Sequence, residues 1–75
     1  MDTALLFVVA LMLGNDVSRA IATALEIEPT KEEVALINAT LSLEGSSHRL
    51  GINPLTGTVE HLTAYSAEAF FAKFS

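Results

Sequence analysis

The chain has no cysteine and no tryptophan, and only two prolines, one tyrosine and four basic residues in its 75 positions. Each shortage excludes something. Without cysteine there is no disulfide and no thiolate metal site. A domain this small must then be held by its core or by a partner. Arg19, Lys31, Arg49 and Lys73 stand singly, against nine carboxylates and a net charge of −5. That scatter gives no basic stripe for phosphate neutralisation, so nucleic acid is not expected as a partner. The acids are equally spread and read as a solvated surface. The four glycines, Gly14, Gly45, Gly51 and Gly57, are too far apart for a phosphate loop.

What the chain has is apolar residues, 51% of the total, with a mean hydropathy of +0.46. So small a sphere cannot hide that much apolar surface, and part of it is expected to face another chain. The excess is concentrated at the start. In MDTALLFVVALML no residue from Thr3 to Leu13 is charged, and all but Thr3 are apolar. A membrane span needs about 20 such residues. This run stops at about half that length, at Gly14, Asn15 and Asp16. A secretion signal has a suitable length but needs a positive start, and residue 2 is Asp. The reading therefore favours a folded core, and the cytoplasm over secretion, with membrane association not expected.

Leu6, Ala10, Leu13, Val17, Ala20, Ala24 and Ile27 are spaced alternately by four and three, which is a heptad seam. It predicts an apolar helical segment over 3–27. Gly14 and Asn15 are poor helix formers, and Asp16 can cap a new helix. One helix, two helices, or a strand followed by a helix therefore stay open. Thr30 and Glu33 match a capping box, yet the next residues change period. From Ile37 to Glu44 apolar and polar residues alternate, predicting a half-buried strand. Gly45-Ser46 reads as a tight hairpin turn, setting Leu41 opposite Leu50 and Ala39 opposite Ile52. NPLTG reads as a second turn, setting Asn53 opposite Thr58, Ile52 opposite Val59 and Leu50 opposite His61. Together they predict a three-stranded antiparallel meander over 35–64, with one dry face. Arg49, Gly51, Thr58 and Glu60 fall on the wet face. Ser66 is placed to cap a short helix over 66–74, with Phe70, Phe71 and Phe74 free to cover the dry face or reach another chain.

The expected fold is thus a single small α+β domain over 1–75: a long or broken N-terminal helix, the three-stranded meander, and a short C-terminal helix. The segment INPLTGTVEHL resembles the closing strand of a PepSY-type module, where a similar Asp-x-x-Thr-Gly-x-Val turn occurs. Asn53 stands where that family has Asp, and the likeness covers about a third of the chain, so no function is carried over from it.

Chemistry-bearing constellations are missing. No serine sits in a nucleophile elbow. His48 and His61 fall on one side of the meander but pair with Leu43, Leu50 and Thr63 rather than with each other, so no metal site is expected. Asn38-Ala39-Thr40 matches a glycosylation acceptor but falls inside the expected strand. The expectation is therefore a protein that is not an enzyme and has no cofactor. It would act as an interaction module, self-associating or docking as a small inhibitor or adaptor on a larger protein. A structural subunit of a filament, capsid or membrane complex is the alternative. The contact surface would combine Leu5, Leu6, Val9, Leu13 and Val17 with Phe70, Phe71 and Phe74.

Overall fold

The computed structural model describes residues 3–12, 14 and 16–74. In chain order the elements are α1 (Thr3–Met12), α2 (Val17–Leu25), α3 (Lys31–Leu43), β1 (Arg49–Ile52), β2 (Val59–Leu62) and α4 (Ala64–Phe74). The architecture is α+β, with four helices and one two-stranded antiparallel hairpin among the described residues.

The apolar first third is two helices. Gly14 takes a left-handed φ of +83°, which only glycine adopts without strain, and its N–H donates to the Leu11 carbonyl. Asp16 then caps α2, its carboxylate accepting the Arg19 N–H at 2.8 Å. The chain turns here, so the seam does not continue along one helix. Instead α1 and α2 pack on each other, and Ala10, Ala20 and Ala24 enter one core together with Phe7 and Ile21. Ile27, at the end of the expected seam, is 44% exposed.

The three-stranded meander is contradicted. The segment expected as its first strand forms the last turns of α3. The capping box is complete: the Thr30 N–H donates to Glu33 Oε1 at 2.8 Å, and the Glu33 N–H to Thr30 Oγ1 at 3.2 Å. It starts a helix that runs through Leu43. Ile37 and Leu41 are four apart, a spacing that serves a strand face and a helix face alike. Val34 completes the helical pattern, and these three are buried. Ala39 and Leu43, also expected on the dry face, are exposed.

Gly45 does not open a hairpin. Its φ of +74° ends α3, with its N–H on the Ser42 carbonyl and the Ser46 N–H on the Leu41 carbonyl. This is the paired-bond helix stop that a left-handed glycine makes possible. The same positive φ serves a tight hairpin turn, which is why the two readings compete.

The second hairpin has the expected register, with Arg49, Leu50, Gly51 and Ile52 opposite Leu62, His61, Glu60 and Val59. The Asn53 N–H donates to the Thr58 carbonyl, and Gly57 closes the turn at φ +76°. From that bond the alternation of an antiparallel ladder turns the N–H and C=O of Leu50 away from β2. Asn38 of α3 takes both. Its Nδ2 donates to the Leu50 carbonyl at 2.8 Å, and its Oδ1 accepts the Leu50 N–H at 2.7 Å. One side-chain amide thus stands where the expected third strand would have paired.

Both faces of the hairpin are covered. Leu50 is fully buried against the helical core, and Ile52 and Val59 pack beside it. On the face expected to be wet, Gly51 and Leu62 are buried beneath Phe70 of α4. That helix begins at Ala64, earlier than expected. Ser66 is not its cap but lies inside the first turn, accepting the Thr63 N–H at 2.9 Å, while the Thr63 carbonyl accepts the Ala67 N–H.

Two substitutions probe these joints. Asn38→Ala leaves the Leu50 N–H and C=O without partners and should cost about 1–3 kcal/mol in urea unfolding. A Cβ on Gly51 would stand 2.6 Å from Phe70 Cε1 and 2.9 Å from Leu62 Cδ1. Gly51→Ala should therefore cost about 1–3 kcal/mol by overpacking, and Phe70→Leu in the same chain should restore part of it. An unchanged unfolding midpoint in either single variant would contradict the joint it probes.

Candidate interaction surface and histidine pair

The expected contact residues divide between two places. On α1, Leu5 is 52% exposed and Val9 37%. Val8 (36%) and Met12 (80%) join them. Positions 5, 8, 9 and 12 follow the i, i+3, i+4, i+7 rule, so the four side chains line one stripe. Phe7 and Ala10 point the other way, into the core, with Ala4 and Leu11 beside them. Val8 and Met12 escaped the sequence reading because an all-apolar helix does not reveal which face is inward. Leu6 is half-buried, Val17 packs against the core, and Leu13 lies outside the described residues.

The aromatic half of the expected surface is elsewhere. Phe70 is half-buried over Gly51, on the opposite side of the hairpin from the α1–α3 core. Phe71 meets it edge-on at 5.5 Å between ring centres, and Phe74 at 4.9 Å. Phe71 remains 43% exposed, while Phe74 is half-buried beneath the Lys73 ammonium. The phenylalanines therefore spend part of their area inside the molecule, packed on the hairpin.

The histidines do meet, contrary to expectation. His48 Nδ1 and His61 Nε2 are 2.8 Å apart, with ring centres separated by 5.0 Å. The expected register already contained this contact. With Leu50 opposite His61, His48 is the diagonal neighbour of His61, within reach of ring side chains. Direct cross-strand partners alone do not reveal it. His48 is held from behind as well: its N–H donates to Ser46 Oγ at 3.1 Å. Arg49 Nη1 donates to the carbonyls of Ser46 and His48, each at 2.6 Å. A single N–H···N bond joins the rings, so one of the facing nitrogens must be free of its proton. Desolvation, and then the charge on His48, lower the His61 pKa below its usual 6.5.

Other candidate chemistry is sparse. Among the described residues no three His, Cys, Asp or Glu side chains converge to hold a metal ion. A shallow cleft between the α2–α3 connection and the hairpin turn gathers Glu28, Thr56 and Thr58 beside Leu25 and Pro29. The Thr56 and Thr58 hydroxyls lie 2.8 Å apart there. Among the described residues no helix is long and apolar enough to cross a membrane. No family model, no curated protein and no solved structure matches the chain, so the PepSY-type resemblance rests on its turn residues alone.

The lowered pKa of His61 has a signed consequence. The folded chain binds this proton less readily than the unfolded chain. The stabilisation is full above the unfolded value of 6.5 and is lost as pH falls through the lowered one. Melting temperature should therefore drop as pH falls below 6.5, and His61→Gln should shrink that drop. Equal pH dependence in the two chains would remove His61 as a contributor.

Proposed function

We propose that this protein is a non-enzymatic interaction module that self-associates through the outer face of α1. One observation carries the reading: Leu5, Val8, Val9 and Met12 form an exposed apolar stripe on a helix without a charged residue. Monomeric proteins rarely leave contiguous apolar surface unclaimed, and such patches mark contact sites. A face without charge sets no electrostatic condition on its partner. Its own copy meets it equally well, and a two-fold pairing of the same stripe closes on itself. Ridges of one helix then seat in the grooves of the other. Absence of disulfides gives such an assembly a further role, since it supplies burial that a chain of this size lacks alone.

Sedimentation at micromolar concentration tests this. The chain should run at a discrete multiple of 8.0 kDa. Val9→Glu places a charge on the exposed stripe and should return it to 8.0 kDa with an unchanged circular dichroism spectrum. A wild-type monomer would refute self-association. A mass that grows without limit as concentration rises would point instead to a subunit of an open polymer.

A further inference from the structure

We propose that His48 and His61 form a two-imidazole chelate for a late first-row divalent cation, with copper(II) preferred. The site shares no residue with the α1 stripe and does not depend on it. Two ring nitrogens from separate segments, the α3–β1 connection and β2, face each other at 2.8 Å. Among the described residues neither makes another hydrogen bond there, and His61 is exposed.

The distances suit one ion held between the rings. Nitrogens bound at about 2.0–2.1 Å from one ion are about 2.9 Å apart at a right angle and about 3.4 Å apart at a tetrahedral angle. The observed 2.8 Å is closest to the right angle. Ring centres of such a chelate lie about 4.5–5.2 Å apart over the same range of angles. The observed separation of 5.0 Å falls inside it, toward the tetrahedral end, while the 2.8 Å between the nitrogens lies at the right-angle end. The rings therefore need to turn so that both lone pairs meet at the ion, but they need not move apart.

Entry of the ion requires no loss of charge from the protein. The proton now shared between the facing nitrogens moves to the far nitrogen of its own ring, and both imidazoles stay neutral. The general affinity order for nitrogen donors places copper(II) first. No third His, Cys, Asp or Glu converges with the pair among the described residues, so water completes the coordination and the ion stays open to outside ligands. Binding would also tie the α3–β1 connection, whose Ser46 and His48 carbonyls Arg49 already holds, to β2. A rise in melting temperature should accompany it.

Titration of the full chain with copper(II) sulfate, followed by calorimetry and electron paramagnetic resonance, tests the proposal. One ion per chain should bind, with the spectral signature of two imidazole nitrogens. The affinity order should be copper(II), nickel(II), then zinc(II). His48→Gln and His61→Gln should each weaken binding at least about tenfold and leave one nitrogen in the spectrum. Binding as tight as the wild-type chain's in either variant would overturn the site, and so would the lack of saturable binding to the wild-type chain. The nitrogen count on the wild-type chain decides the question even if a variant fails to fold. Val9→Glu should bind copper(II) unchanged, which separates this site from the α1 surface.

Discussion

The double hydrogen bond between the Asn38 amide and the Leu50 backbone joins the two halves of this protein. On one side lie α1, α2 and α3; on the other, a hairpin of two four-residue strands. A hairpin that short is marginal alone in water. It persists because its first strand is captured at its outer edge by α3 while the Leu50 side chain is fully buried in the helical core. The clasp also protects that edge. An unpaired strand edge is a template for unwanted pairing, and a covering helix is one of the ways natural sheets blunt it.

The opposite face of the hairpin depends on a close approach. Gly51 offers no side chain, so the Phe70 ring lies where a Cβ would be. Leu62 is buried beside it, and α4 is thereby seated on the sheet. The hairpin is covered on both faces, unlike a meander with one wet side. This explains why a strand pair of such modest length contains two fully buried or nearly buried leucines, Leu50 and Leu62.

Apolar residues are still left over. The core takes Phe7 and Ala10 from α1, and among the described residues the outer stripe of the same helix stays exposed. The histidine pair lies at a different place, where the α3–β1 connection meets β2. These two features are distinct in chemistry: one is apolar and uncharged, the other polar with two imidazole nitrogens facing each other. A small chain can thus present two unlike surfaces because each is set by a different local rule, helix periodicity for the first and strand register for the second.

Several features were legible in the residues themselves. Thr30 and Glu33 marked the start of α3, Asp16 the start of α2, and the NPLTG turn fixed the register of the hairpin. These are local: bonds between residues a few positions apart decide them, whatever the rest of the chain does. Ile37 to Glu44 was different. Its alternation fits a strand, and the Ile37–Leu41 spacing fits a helix equally well. Gly45 can likewise end a helix or open a turn. Only packing chose, because as a helix the segment buries Val34, Ile37 and Leu41 together and offers Asn38 to Leu50. Tertiary structure also decided which face of α1 is inward and which side of the sheet α4 covers. The sequence by itself determined the cap at Asp16, the capping box at Thr30 and how two strands align. Which surfaces meet was decided by burial and by satisfaction of backbone groups across distant segments, terms that no local pattern contains.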